Sequence, residues 1–128
     1  QKNCKRNNPK NLHKLVGYVG LKGCDEDNLV RSVFKIGPIS IAMDAAHDEF
    51  FFYGSGIIDI SNCDPKNLNH FVLAVGYSLS DTPYLLVKNS FGKNWGGDGY
   101  FKIALNKNNT CGICSHATYP IIVYHTTI

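Results

Sequence analysis

Two apolar, strand-like runs joined by a short polar turn constrain the fold of this 128-residue chain more than any other feature. The first run, 69–77, reads NHFVLAVGY, and the second, 84–100, reads YLLVKNSFGKNWGGDGY. An even-length turn between them predicts an antiparallel hairpin in which His70 lies opposite Phe91. Asn89 shares a face with Phe91, so it is expected to be a diagonal neighbour of His70 on the sheet.

A histidine beside an asparagine is half of a Cys-His-Asn nucleophilic site. The amide fixes the tautomer and the direction of the imidazole ring, while the imidazole holds the proton of a thiol. The sequence therefore predicts His70 as a base and Asn89 as the residue that orients it. The remaining member is a cysteine, and the chain does not visibly supply one.

Composition points to a packed globular body. Hydrophobic residues make up 44% of the chain, charged residues 18%, and the net charge is only +3, which argues against disorder and against a nucleic-acid partner. No apolar run is long enough to span a bilayer, so no membrane partner is predicted. Basic residues concentrate in segment 1–14, for which a solvated loop is favoured over a recognition patch. The opening without Met or an apolar signal segment suggests that the chain was cut from something longer.

Five cysteines favour an oxidising compartment. The single CxxC at 111–114 has no second pair at zinc spacing, so neither a metal site nor a cofactor is predicted. Asn108-Asn109-Thr110 is an acceptor pattern for N-glycosylation, which is in keeping with secretion.

The remaining pattern predicts one helix among six or seven short strands. The acidic turn at 25–27 begins a helix that ends near Lys35, before Gly37-Pro38. A helical turn is expected within 44–52. Strands are predicted at 15–21, 39–43, 57–60, 100–105 and 117–124, in addition to the hairpin. We therefore predict an α+β domain, mainly antiparallel and barrel-like, with one short helix.

The order of several motifs resembles the C-terminal half of papain-family cysteine peptidases, closest to the cathepsin L branch. These motifs are GPISIAMDA, FFFYGSGI, NHFVLAVGY, YLLVKNSFGKNWGGDGYFKI and NTCGICSHATYPI. The signature KNS-x-G-x-x-W-G-x-x-GY is the most specific of them. The resemblance implies that residues 1–128 form the C-terminal (right) domain of the papain-like fold, and that the N-terminal half with the nucleophilic cysteine is absent.

By this resemblance His70 matches the catalytic base and Asn89 its orienting amide. Phe91 and Trp95 match two tryptophans that cover the Asn-His hydrogen bond and line the leaving-group side of the cleft, so both are predicted to bind substrate. Phe91 is a departure because it lacks the indole donor. Asn69 replaces an acidic residue before the catalytic histidine, which removes a charge that would favour the imidazolium.

The resemblance also implies a substrate pocket. Phe71 stands where the family has Gly or Ala at the floor of the main specificity pocket, so the pocket should be shallow or closed. His116 occupies the position at the end of that pocket. Ala42 and Leu68 complete the predicted substrate-binding residues.

The family pattern implies a disulfide between Cys63 and Cys111, and a bridge from Cys4 to the N-terminal half. Cys24 and Cys114 are extra to this pattern. Antiparallel pairing of the first strand, near Tyr18, with the last, near Pro120, would bring Cys24 and Cys114 opposite each other. They form either a second disulfide or two buried free thiols.

Three functions remain open. On the first reading, the chain is the His/Asn-bearing half of a cathepsin L-like cysteine endopeptidase. It would be inactive alone and completed by an N-terminal half, and its substrates would be proteins or peptides. Alternatively it is a catalytically inactive homologue that serves as a binding or structural module in an assembly, which Phe71, Asn69 and Phe91 favour. The third reading, an inhibitor-like or unrelated β domain, conflicts with the signature.

Overall fold

The computed structural model describes residues 14–123, which form one six-stranded antiparallel sheet with short helices. The strands are β1 (Lys14–Gly20), β2 (Ile39–Met43), β3 (His70–Ser78), β4 (Tyr84–Lys88), β5 (Tyr100–Ala104) and β6 (Ala117–Val123). The helices are α1 (Glu26–Lys35), α2 (Asp48–Phe51) and a 3₁₀ turn, Thr110–Gly112. The strand order is β1-β6-β2-β3-β4-β5. This is the mainly antiparallel α+β class that the sequence predicts.

Helix α1 begins where the sequence predicts and covers the sheet. The Asp25 carboxylate accepts a hydrogen bond from the Asn28 N–H at 3.1 Å, which caps the helix. Leu29, Val30 and Val33 are buried on one side, where the helix packs against β2 and β3. None of the helices in the described part is long and apolar enough to cross a membrane.

The predicted strand at 57–60 is wrong. Only Ile58 bridges to Ile103 of β5, in parallel orientation. Gly56, with φ 91°, turns the chain immediately before this segment, so no longer ladder forms. The predicted helical turn within 44–52 is present but covers only Asp48–Phe51.

The hairpin of β3 and β4 has the predicted register at the end that carries the site. Leu73 lies opposite Lys88, as that register requires, whereas Ser78 lies opposite Tyr84, shifted by one residue. An irregularity between Ala74 and Gly76 absorbs the shift. The turn is therefore one residue shorter than the sequence suggested, without any change in the faces at the site.

Strands β1 and β6 pair antiparallel with Tyr18 opposite Pro120. The structure contains a Cys24–Cys114 disulfide and a Cys63–Cys111 disulfide. Of the two alternatives for residues 24 and 114, the structure therefore shows the disulfide. Cys4 and the basic positions from Lys2 to Lys10 lie outside the described residues.

Candidate active site

The structure brings His70 and Asn89 together at one end of the hairpin. His70 begins β3, and Asn89 directly follows β4. The distance between His70 Nε2 and Asn89 Oδ1 is 2.9 Å. The Ser90 N–H also donates to Asn89 Oδ1, at 2.8 Å, and this bond identifies the amide oxygen. Because an oxygen only accepts here, Nε2 carries the proton and Nδ1 is left as the basic atom of the neutral ring.

Asn89 is held in an unusually dry position. Its residue is 8% exposed, and its Nδ2 is a buried side-chain nitrogen without a hydrogen-bond partner among the described residues. An unpaired buried donor costs about 1–3 kcal/mol of stability. Residues kept at such a cost are typical of functional sites.

Aromatic rings enclose the imidazole of His70. The Phe91 ring lies 5.2 Å from the His70 ring, and the fully buried Phe50 ring lies 5.6 Å from it on an edge-to-face approach. Trp95 packs edge to face on Phe91 at 5.5 Å. The Trp95 Nε1–H donates to the Phe51 carbonyl at 2.9 Å, which ties this loop to α2. The rings limit access of water to the Asn-His hydrogen bond.

Glycine is required in the loop that holds Trp95. Gly96 has φ 58°, and a Cβ there would lie 2.6 Å from the Tyr100 carbonyl oxygen. Any side chain would therefore push the two arms of this turn apart. The glycine at position 96 of the signature KNS-x-G-x-x-W-G-x-x-GY is therefore required for steric reasons.

A buried carboxylate supports the strand that begins with His70. Asp44 is 2% exposed. Its Oδ1 accepts from Asn69 Nδ2 at 2.7 Å and from the Ala46 N–H at 3.3 Å. Its Oδ2 accepts from His47 Nε2 at 2.9 Å and from the Asp64 N–H at 3.0 Å. Burial raises the pKa of this carboxyl, but the four hydrogen bonds outweigh it and lower the pKa to about 2.

Asn69 links this carboxylate to the site. Its Nδ2 donates to Asp44, its Oδ1 accepts from the Ala45 N–H at 2.8 Å, and its own N–H donates to the Met43 carbonyl at 3.1 Å. An aspartate at position 69 would place a second carboxylate against Asp44. The departure at Asn69 is therefore matched to a buried acid, in addition to removing a charge beside His70.

We expect the stability of this chain to fall in acid through Asp44. Its folded-state pKa is lowered from 3.8 to about 2, so its contribution is complete above pH 4 and is lost as the pH falls through about 2. The shift corresponds to roughly 2 kcal/mol. The free energies of unfolding of wild type and Asp44→Asn, measured in urea, should converge as the pH falls from 5 to 2.

The exposed turn residue Asp81 provides the matched control, because Asp81→Asn should follow the wild-type curve. A constant difference between wild type and Asp44→Asn at every pH would contradict the hydrogen-bonding role of the ionised carboxylate.

Asp44, His47 and Cys63 are close enough to be considered as metal ligands, since their ligand atoms lie within 4.8 Å of one another. Cys63 is bonded to Cys111, however, and a disulfide sulfur is not the thiolate that metals prefer. Asp44 and His47 are paired with each other. This cluster is therefore structural.

Three of the predicted pocket residues come together: Ala42 in β2, Phe71 in β3 and His116, which directly precedes β6. Ala42, 1% exposed, lies opposite Phe71 in the pairing of β2 with β3, and its N–H donates to the His116 carbonyl at 3.0 Å. The Phe71 and His116 rings meet edge to face at 6.0 Å. Phe71 is 64% exposed. Leu68 is half-buried and packs against Gly112, where a Cβ would lie 2.6 Å from Leu68 Cδ2.

Phe71 and Asn89 also border one open cleft of about 290 Å³. Ser40, Lys88 and Ser90 contribute polar groups to its lining, and Val72 and Leu73 complete it. The cleft extends along β3 and β4 beside the Asn89 amide. It offers a peptide both an aromatic ring and hydrogen-bonding groups.

Sequence reasoning missed two residues that support the site, Asp44 and Phe50. An acidic residue directly after the apolar run ISIAM was a usable signal, because an acid at the end of a buried strand needs donors. Phe50 belongs to the run FFFY, in which sequence alone does not distinguish the buried ring from the exposed ones. The structure buries Phe50 fully and leaves Phe52 83% exposed.

Comparisons with known proteins identify the family of this chain. The family described as papain family cysteine protease matches residues 1–121. Rat (Rattus norvegicus) procathepsin L is 51% identical over 102 residues, and a cathepsin L-like peptidase of Aedes aegypti is 46% identical over 108 residues. The solved structure of the digestive procathepsin L2 proteinase of Tenebrio molitor superposes with a TM-score of 0.80 at 46% identity.

The chain belongs to the papain family of cysteine proteases. The matches cover 76% of this chain for the rat protein, 83% for the Aedes protein and 84% for the Tenebrio structure. They cover only 30%, 32% and 34% of those proteins. The chain thus spans about a third of the length of the relatives it matches.

Proposed function

We propose that this chain is the His/Asn-bearing C-terminal half of a cathepsin L-like cysteine endopeptidase. The observation that carries this proposal is the 2.9 Å contact between His70 Nε2 and Asn89 Oδ1. It leaves His70 Nδ1 free to take a proton, which is what a thiol nucleophile requires of its base. The family membership of the chain agrees with this chemistry.

In the proposed reaction, a cysteine thiol from the N-terminal half gives its proton to His70 Nδ1 and attacks the peptide carbonyl as a thiolate. The C–N bond of the substrate breaks, and the imidazolium returns the proton to the leaving amine. Water then loses a proton to His70 and attacks the acyl carbon, the C–S bond breaks, and the thiolate is regenerated beside the imidazolium. Asn89 keeps the ring in one tautomer throughout.

An aromatic surface next to His70 supports docking of a second half. Phe51 and Phe91 stack in parallel with their ring centroids 6.3 Å apart, and both are exposed, 51% and 43% respectively. Phe71 adds a third exposed ring. We infer that the N-terminal half covers part of this surface and that the chain alone does not cleave peptides.

The two disulfides and the relatives fit a lysosomal or secreted location.

The exposed ring of Phe71 favours a second candidate function, an inactive binding module. A phenylalanine at the pocket position, packed on His116, leaves less room for a substrate side chain than Gly or Ala would. On this alternative, the aromatic surface serves to bind a protein partner without hydrolysis.

A chimera tests the two functions. The nucleophile-bearing part of a cathepsin L relative is joined to this chain, replacing the corresponding third of the relative. We expect hydrolysis of peptide substrates and stoichiometric labelling of the nucleophile by a peptidyl epoxide. A folded chimera with both disulfides that is neither active nor labelled, with Phe71 or with Gly at that position, would contradict the peptidase function and favour the binding module.

Replacing Phe71 by Gly in the same chimera is expected to open the pocket. Loss of the ring should raise kcat/KM for substrates with a bulky apolar side chain at this pocket by roughly tenfold or more, and leave substrates with a small side chain almost unchanged. Phe52→Gly is the matched control, since Phe52 is an exposed ring in the loop after α2. Equal effects on both substrate classes would place Phe71 outside the pocket.

A further inference from the structure

Asn108 occupies an exposed turn that is built to present its side chain. It lies between β5 and the 3₁₀ turn, with φ 57°, a left-handed conformation that Asn tolerates better than most residues. Asn108 lines the two open clefts on either side of this turn, one with Asp25 and one with Asp59. An attached group at this position would extend into solvent.

The neighbouring Asn109 is engaged in the fold instead. Its Nδ2 donates to Ser115 Oγ at 2.8 Å, and its Oδ1 accepts from the Cys114 N–H at 2.9 Å. Its N–H donates to Glu26 Oε1 at 2.7 Å. Modification of Asn109 Nδ2 would break the bond to Ser115, whereas Asn108 has no such bond among the described residues.

We propose that Asn108 carries an N-linked oligosaccharide. Asn108-Asn109-Thr110 is the only Asn-x-Ser/Thr pattern in the chain. Asn108 Nδ2 forms a bond to C1 of the first sugar of a polyprenyl-diphosphate-linked oligosaccharide, the bond from C1 to the diphosphate oxygen breaks, and Nδ2 loses one proton. The proposal rests on the lysosomal or secreted location in the proposed function, but not on peptidase activity.

The order of events follows from the burial of Thr110. Thr110 is only 7% exposed in the folded chain, and Cys111 beside it is bonded to Cys63. The transferase needs access to the threonine hydroxyl as well as to the asparagine amide, so transfer must precede closure of this turn. Formation of the Cys63–Cys111 disulfide therefore competes with glycosylation.

The glycan lies away from the His70 site. None of His70, Asn89 and Trp95 borders either of the clefts beside Asn108. Exposed Cys24 borders one of them, so the sugar would shield the Cys24–Cys114 disulfide. The modification is thus expected to protect the fold without changing access to the proposed active site.

The test is translation of the whole chain, behind a cleavable signal sequence, in the presence of microsomes. A polar extension after Ile128 lets the acceptor turn clear the translocation channel before synthesis ends. We expect a mass increase of one oligosaccharide that peptide-N-glycosidase removes, leaving aspartate at position 108. Asn108→Gln and Thr110→Val should abolish the increase, whereas Thr110→Ser and the matched control Asn106→Gln should keep it.

A reductant, or the pair Cys63→Ala and Cys111→Ala, should raise the glycosylated fraction by delaying closure of the turn. If the translocated wild-type chain shows no mass increase either with or without reductant, the proposal is overturned. Retention of the increase in Asn108→Gln would overturn it equally. Neither result depends on folding or on activity, so failure here is distinguishable from failure of the proposed peptidase function.

Discussion

Replacing His70 by alanine is expected to lower kcat of the chimeric peptidase by about 10³–10⁴-fold. In the proposed reaction the imidazole takes the thiol proton, and His70 is the one histidine of residues 14–123 that hydrogen-bonds to Asn89. Hydrolysis of a fluorogenic peptide, normalised to the concentration of folded protein from its absorbance and near-ultraviolet circular dichroism, measures the loss per folded molecule.

Two variants serve as comparisons for this loss. Asn89→Ala should lower kcat less than His70→Ala, because the base remains while its orientation is no longer fixed. Asn94→Ala, in the exposed part of the same loop, should retain activity close to wild type. Activity of His70→Ala within a few-fold of wild type would mean that another residue acts as the base.

Removing the Cys63–Cys111 disulfide is expected to lower the free energy of unfolding by roughly 4 kcal/mol in the chain-entropy estimate. The bridge spans a sequence separation of 48, and its loop includes His70 and Asn89. The Cys111 carbonyl also accepts from the Asp44 N–H at 2.8 Å. The bridge therefore holds the hydrogen-bonded group around Asp44 in place.

Urea unfolding of the chain with Cys63→Ala and Cys111→Ala tests this expectation, and alanine avoids placing a new polar group at the buried Cys111. Asp81→Ala in the exposed hairpin turn is the control and should leave the midpoint unchanged. A double variant with the wild-type midpoint would show that the bridge contributes nothing to the folded chain.

Local pattern was sufficient for the elements that the site depends on most. Alternation and turn length predicted a hairpin that brings His70 near Asn89, and the pair is found at 2.9 Å. The predicted register holds at the site because an unforeseen irregularity between Ala74 and Gly76 offsets a turn that is one residue shorter than predicted. Burial of Val72 and Val87 fixes the faces of the two strands. Acidic residues before an apolar stripe likewise predicted α1.

Features that depend on distant contacts were not predictable in this way. Ile58 pairs with β5 only through a single bridge to Ile103, although its neighbours in sequence look like a strand. The role of Asp44 arises from donors at positions 46, 47, 64 and 69, and Phe50 is buried through contacts with His70 and Phe101. No local window of sequence contains all of these partners.

The central claim is that His70 holds the proton of a cysteine thiol, and the pH dependence of alkylation of that thiol tests it most directly. In the chimera, the rate of reaction with a small neutral alkylating reagent should rise at a pH several units below the ordinary thiol pKa of about 8.5. In His70→Ala the rise should move to about pH 8.5. Identical profiles for the two proteins would contradict the assignment of His70 as the base.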